Sequence, residues 1–183
     1  MKQLPESALE KIKNCNGDIN VNVGSGTDTK PNFINYDKRT TVPELDINDL
    51  IQNIEEYFEK GTVTNIILFQ VLEHFRRDEW RTVIATLCGL LKSNGRIHIR
   101  VPSIEDMVDL YRRKQMSAEM MFLTIYGMQD NYGEGMEMFD YHKSGVTIET
   151  ITTELERYGC HVEEINHVYG IGLLHIVAQK NEK

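Results

Sequence analysis

The sequence has no long apolar run. None of its 183 residues lies in a stretch approaching the roughly 20 consecutive apolar residues that a membrane-spanning helix needs. The first 17 residues also lack the apolar segment of a secretory signal. The sequence therefore predicts a cytoplasmic protein without a membrane span.

Cysteine is scarce. The three cysteines, Cys15, Cys88 and Cys160, are far apart in the chain, so they form no CxxC pair. This spacing does not fit a zinc ribbon or a disulfide framework, and it predicts buried or partly buried free thiols. We accordingly expect no metal site.

Positive charge is also in deficit. Twenty Lys and Arg residues face 28 Asp and Glu residues, giving a formal net charge of −8, and the basic runs are as short as Arg76–Arg77 and 112–114. Such a surface repels a phosphate backbone, which argues against general nucleic-acid binding. A small molecule, an oligomer contact or a local patch on a partner protein fits better.

What is present is the pattern of one α/β domain spanning residues 1–183, since this length supports one core rather than two. Alternating or continuous apolar residues predict strands, and helical spacing of apolar residues predicts helices. The expected strands are 19–23, 33–36, 42–45, 65–69, 96–101, 162–168 and 173–179. The expected helices are 4–14, one from Asp78 to the turn at 93–95, 104–115, 117–126 and 147–158.

A glycine-rich turn follows the first strand. Gly24 and Gly26 would let a ligand approach the backbone closely, and Asp37 ends the second strand, where a carboxylate can bind ribose hydroxyls. A dinucleotide-binding unit has a third glycine and places its acid about 20 residues on, after a full helix. Here Asp37 follows Gly26 by eleven residues. The first crossover helix must be abbreviated, which disfavours a nicotinamide-dependent oxidoreductase.

Four segments in order resemble a known family. They are the runs INVNVGSG (19–26), PNFINYD (31–37), FQVLEH (69–74) and LLKSNGRIHIRVP (90–102). This set is similar to the small class I S-adenosylmethionine-dependent methyltransferases with a shortened first helix. The resemblance implies a Rossmann-like α/β fold, with a mostly parallel sheet of up to seven strands and helices on both faces.

The resemblance also implies contacts to S-adenosylmethionine. Gly24 and Gly26 would lie against its methionine part, Asp37 would bind the ribose, and Gln70 and Val71 would flank it beyond the central strand. These positions belong to the carboxyl edge of the sheet, where open α/β sheets bind ligands.

Asp46 and His74 carry further expectations. The resemblance gives Asp46, after the expected third strand, a contact to the adenine edge, whereas local chemistry equally allows a helix cap. His74, paired with Glu73, can take a proton from a nucleophile at neutral pH. A packed structural histidine is the alternative.

The polar stretch 127–145 is long for a plain connection and predicts a binding loop or lid, with a disordered insertion as the alternative. Four residues in or beside it are candidates for acceptor binding through stacking and hydrogen bonds: Tyr126, Gln129, Tyr132 and His142. They favour a neutral or sugar-like acceptor.

The sequence thus predicts an enzyme that transfers a methyl group from S-adenosylmethionine to a small-molecule or carbohydrate-linked acceptor. The alternative from another class is a catalytically silent module that keeps the fold and serves a binding or regulatory role. Methyl transfer depends mainly on positioning, so the lack of a dedicated base would not exclude activity.

Overall fold

The computed structural model describes residues 1–39, 42–127, 141–168, 170 and 172–182. Its helices are α1 (Glu6–Asn14), α2 (Arg77–Leu90), α3 (Ile104–Arg112), α4 (Ala118–Tyr126) and α5 (Ile148–Arg157), with 3₁₀ helices at Ile51–Glu56 and Leu72–His74. Its strands are β1 (Asn20–Val23), β2 (Ile34–Asp37), β3 (Ile47–Asn48), β4 (Val63–Phe69), β5 (Leu91–Pro102), β6 (Cys160–Val168) and β7 (Leu173–Lys180).

The strands form one seven-stranded sheet in the order β3-β2-β1-β4-β5-β7-β6. The first five strands in this order pair in parallel, and β7 runs antiparallel to both β5 and β6. The expected mostly parallel α/β sheet is confirmed. Since β1, β2, β3 and β4 run the same way, their carboxyl ends meet at one edge.

Apolar burial explains why β1 and β4 lie at the centre. Val21 and Val23 of β1 and Ile66 and Leu68 of β4 are almost fully buried. A strand covered on both faces gains by burying apolar side chains on both, which is why β4 is a nearly continuous apolar run.

The connection from β1 to β2 has no helix among its residues 24–33, all of which the structure describes. This confirms the abbreviated first crossover. The side chain of Asn22, nearly buried, donates to the carbonyl oxygen of Asp28 at 2.9 Å and to Oδ1 of Asn35 at 3.1 Å. Side-chain hydrogen bonds therefore hold a connection that a helix would otherwise organise.

The expected third strand at 42–45 was wrong. The structure has β3 at Ile47–Asn48, paired with Tyr36 and Asp37 of β2. The apolar residues Val42 and Leu45 suggested a strand, but two-residue pairing leaves no alternation to detect. Asp46 consequently precedes the strand instead of following it.

The helices pack in two groups. α2 contacts α5 and the 3₁₀ helix Ile51–Glu56, whereas α3 contacts α4. The second group encloses a separate small cluster around Met107, Leu110 and Met116. Cys15, Cys88 and Cys160 are free thiols, as predicted, and no described helix is long and apolar enough to cross a membrane.

Candidate functional site

A cleft of about 490 Å³ opens at the carboxyl edge of the parallel strands. Its volume lies within the range of small-molecule sites. Residues from the turn after β1, the end of β2, the segment after β3 and the end of β4 line it. The predicted site residues that line it are Gly24, Gly26, Asp37, Gln70, Val71 and His74.

The two glycines have different roles. Gly24 has φ +66°, and a Cβ there would lie 2.4 Å from Cγ2 of Val71, so only glycine lets Val71 pack against the turn. Gly26 has φ +48°, and the space beside it is open, the nearest atom being 3.7 Å away on Arg39. Gly24 therefore positions the end of β4, whereas Gly26 leaves room for a ligand.

Asp37 holds the glycine turn. One carboxylate oxygen, Oδ2, accepts a hydrogen bond from the backbone N–H of Gly26 at 2.7 Å, and Oδ1 accepts one from that of Arg39 at 2.8 Å. The residue is only 7% exposed. A carboxylate has about four acceptor positions, so two remain for a ligand's hydroxyl groups.

Asp46 does not line the cleft. Its Oδ2 lies 2.6 Å from Nζ of Lys11 on α1 and accepts the backbone N–H of Asn35 at 2.7 Å. Asp49 and Leu50, just beyond β3, line the cleft instead. The hydrogen bond from Lys2 holds the pKa of Asp49 well below its usual range, so this carboxylate is ionised at neutral pH.

His74 ends a short 3₁₀ helix after β4. Gln70, with φ +55°, turns the chain out of the strand, and its N–H donates to the carbonyl oxygen of Arg100 at 2.7 Å. A positive φ at a non-glycine residue is costly and is often found at functional sites. The Nδ1–H of His74 donates to the carbonyl oxygen of Tyr141 at 3.1 Å.

His142 lies beside His74. Their rings meet edge to face with centroids 5.1 Å apart, and Nδ1–H of His142 donates to the carbonyl oxygen of Thr124 at 2.8 Å. The carbonyl oxygen of Glu73 also accepts the N–H of Lys143 at 2.7 Å. The structure thus joins two segments that are about 70 residues apart, and the sequence carried no signal for this.

Glu73 is the third member of this group. It is 1% exposed, and neither carboxylate oxygen has a hydrogen-bond partner among the described residues. Burial raises the pKa of Glu73 to about 8. One ligand atom each of Glu73, His74 and His142 lie within 4.8 Å of one another, so these side chains could hold a metal ion.

The remaining acceptor candidates are not all at the cleft. Tyr126 is 51% exposed on α4, where its ring lies 6.3 Å from that of Phe122, and it is not part of the cleft lining. Gln129 and Tyr132 lie outside the described residues, as does most of the predicted lid at 127–145.

The structure adds cationic side chains that sequence analysis missed. Arg100 and Lys143 line the cleft near His74. The guanidinium of Arg100 lies 4.2 Å from the ring centroid of Phe69, and its Nε is buried without a partner among the described residues. Strand position alone gave no reason to single out Arg100 among the alternating polar residues of β5.

Comparison with known proteins supports the fold. No protein-family model and no curated protein matches the chain. Among solved structures, the chain is similar to the 1,6-didemethyltoxoflavin-N1-methyltransferase of Burkholderia thailandensis with bound 1,6-didemethyltoxoflavin and S-adenosylhomocysteine. The TM-score is 0.59 at 12% identity, covering 96% of this chain and 77% of that one.

Two other solved structures show the same likeness. A SAM-dependent methyltransferase from Archaeoglobus fulgidus has a TM-score of 0.57 at 13% identity, covering 94% of this chain and 93% of that one. The pyocyanin biosynthetic protein PhzM has a TM-score of 0.57 at 15% identity, covering 95% of this chain. The chain spans about half of PhzM, 54%. The protein therefore has the Rossmann-like fold of class I methyltransferases.

Asp46 should contribute to stability and not to ligand binding. Asp46→Ala leaves the partly buried ammonium of Lys11 and the N–H of Asn35 without their acceptor, at a cost of about 1–3 kcal/mol in unfolding free energy. Chemical denaturation measures this. Glu55→Ala, which breaks the exposed Lys60–Glu55 pair, is the control and should change stability much less. Equal effects would contradict the structural role of Asp46.

Glu73 should make stability depend on pH. Its pKa is about 8 in the folded chain and ordinarily 4.5, so the folded state retains a proton that the unfolded state loses. The stabilisation is complete below about pH 4.5 and is lost as the pH rises towards 8. In metal-free protein, melting temperatures across this range should fall less for Glu73→Gln than for the wild type. The exposed Glu10→Gln is the control, and it should follow the wild type.

Proposed function

We propose that this chain binds S-adenosylmethionine in the cleft and transfers its methyl group to a small-molecule or carbohydrate-linked acceptor. One observation carries the proposal. The open Gly26 turn and the buried Asp37 carboxylate face one cleft at the carboxyl edge of the strands, in a sheet whose fold is similar to that of known methyltransferases. Methyltransferases of this fold, including the Burkholderia enzyme with bound S-adenosylhomocysteine, support it.

The residues of the cleft fit the cofactor. Gly26 leaves space for its methionine part beside the backbone, with Gly24 holding Val71 in place, and the two unused acceptor positions of Asp37 suit the ribose hydroxyls. Leu50, just beyond β3, replaces Asp46 as the candidate for the adenine end, because the neighbouring Asp49 carboxylate already accepts four hydrogen bonds within the chain. The cofactor supplies an electrophilic methyl group on a sulfonium centre.

The proposed catalytic residue is His74, which lines the cleft beyond Gln70 and Val71. Its Nδ1–H bond to the carbonyl oxygen of Tyr141 places the lone pair of the neutral ring on Nε2. Nε2 can then accept the proton that the acceptor atom loses as it bonds to the methyl group. The carbon–sulfur bond breaks in the same displacement and leaves a neutral thioether.

Acceptor recognition is assigned to the side of the cleft that holds Arg100 and Lys143. The buried Nε–H of Arg100 can donate a hydrogen bond to an oxygen atom of the methyl-accepting substrate. A buried donor without a partner among the described residues favours a ligand that supplies such an oxygen. A hydroxylated, sugar-like acceptor meets this requirement. His142 is retained as an acceptor contact because it lies against His74, whereas the roles proposed for Tyr126, Gln129 and Tyr132 depend on the lid.

Asp37→Ala should lower the affinity for S-adenosylhomocysteine at least tenfold, because each charge-assisted hydrogen bond contributes about 1.5–3 kcal/mol. Calorimetric titration measures the affinity, and thermal unfolding verifies that the variant is folded. Asp109→Ala, an exposed carboxylate on α3, is the control and should bind like the wild type. An unchanged affinity in folded Asp37→Ala would reject the ribose contact.

His74→Ala should reduce methyl transfer about 10²- to 10⁴-fold, the usual cost of losing a general base, with little change in S-adenosylhomocysteine affinity. Turnover is followed as S-adenosylhomocysteine formation, using the first acceptor that the wild-type chain methylates in a panel of small hydroxylated compounds. His161→Ala, an exposed histidine on β6, serves as the control. Full turnover by His74→Ala would identify His74 as structural, and cofactor binding without any transfer would favour the silent module.

A further inference from the structure

The carboxyl group of Glu73 is buried without a polar partner among the described residues. Both carboxylate oxygens lack a hydrogen-bond partner among the described residues, and the side chain is almost completely removed from water. An isolated buried carboxylate is strongly unfavourable unless it is neutral or lies next to a cation. The described side chains around it offer imidazole nitrogens, from His74 and His142, as its close neighbours.

Each of the two imidazoles makes a hydrogen bond of the kind that metal-binding histidines make. Nδ1–H of His74 donates to the carbonyl oxygen of Tyr141, and Nδ1–H of His142 donates to that of Thr124. Metal-binding histidines almost always donate their other ring N–H to a carbonyl or carboxylate, which fixes the ring and its tautomer. The remaining lone pair is then on Nε2 in both rings.

The backbone holds the three ligands together. The carbonyl oxygen of Glu73 accepts the N–H groups of Lys143 at 2.7 Å and Ser144 at 3.3 Å, and the N–H of His142 donates to the carbonyl oxygen of Tyr126 at 3.1 Å. These bonds fix the segment that carries His142 against the 3₁₀ helix that carries Glu73 and His74. The site is therefore built by the fold and does not depend on exposed side chains meeting by chance.

We infer that Glu73, His74 and His142 bind one divalent transition-metal ion at the cleft. Two imidazoles and one carboxylate suit Zn²⁺ and its first-row neighbours, whereas Mg²⁺ and Ca²⁺ prefer oxygen ligands. Bond lengths near 2.1 Å place tetrahedral ligand atoms about 3.4 Å apart, so the ligand atoms, now within 4.8 Å of one another, would approach by up to about 1.4 Å on binding.

The ion would leave coordination positions open, since only three protein ligands are present among the described residues. His74 lines the cleft, so an oxygen donor of the acceptor is the ligand that fits there. This role rests on the proposed function but replaces His74 as the proton acceptor, because an Nε2 lone pair that binds the ion cannot also take a proton; the charge of the ion would instead lower the pKa of a bound hydroxyl. Binding of the ion itself does not rest on it.

The test uses the full chain after chelator treatment and dialysis. Co²⁺ is titrated into the protein while visible absorption reports its coordination. Zn²⁺ is then added as a competitor, and the number of Zn²⁺ ions bound per chain is measured. We expect each chain to bind one Co²⁺ ion. Zn²⁺ should displace this ion, and Mg²⁺ should not. Glu73→Gln and His142→Ala should each weaken binding at least tenfold, and His161→Ala should bind like the wild type.

Absence of a Co²⁺ spectrum and of Zn²⁺ binding in the wild-type chain would overturn the inference. So would a signal that survives in folded Glu73→Gln and His142→Ala but disappears in His175→Ala, because His175 stacks on His98 elsewhere in the sheet. S-adenosylhomocysteine titration of the same samples separates the two proposals, since either ligand can bind without the other. Loss of turnover on chelation, restored by metal, would support the role of the ion in the reaction; turnover indifferent to chelation would contradict that role.

Discussion

The hydrogen bond from the N–H of Gly26 to Oδ2 of Asp37 is the constraint on which the cleft depends. Parallel strands normally need a crossover of a dozen or more residues, usually a helix, and the β1–β2 connection has none. The turn must therefore be held by side chains, and Asp37 does this with both oxygens. The same carboxylate faces the cleft, so the residue that fixes the turn also contributes a polar group to the cleft lining.

Much of the fold could be predicted because its signals are local. The alternation in β1 and the apolar run in β4 each lie within a few residues, and the eleven-residue spacing between Gly26 and Asp37 excludes a full crossover helix. β3 could not be predicted, because a two-residue strand has no periodicity. Because the strand lies further along the chain than expected, Asp46 precedes it and forms a partly buried ion pair with Lys11.

The site residues likewise fall into those that local sequence signals predict and those that only the folded structure brings together. Three groups of predicted residues meet at the cleft: the glycine turn, Asp37 and the segment after β4. They meet because the carboxyl ends of neighbouring parallel strands share one edge of the sheet, and the order of the strands in the sequence is enough to predict this. His142 reaches His74 only through backbone hydrogen bonds between the segment 141–144 and other parts of the chain. The burial of Glu73 is likewise a property of the assembled fold, so it could not be predicted from the polar side chain of Glu73 or from its neighbours in the sequence.

The charges that line the cleft differ from the negative net charge of the whole chain. The chain carries −8 overall, which argues against a polyanionic partner over most of its surface. Within the cleft, however, both signs are present: Asp37 and Asp49 lie at the β2–β3 side together with Lys38 and Arg39, and Arg100 and Lys143 lie at the β4–β5 side. Under the proposed function, an electron-rich oxygen of the methyl acceptor is favoured near Arg100 and Lys143. Because low-dielectric walls strengthen such fields, these two cations would draw that oxygen towards the β4–β5 side before any contact specific to the acceptor is made.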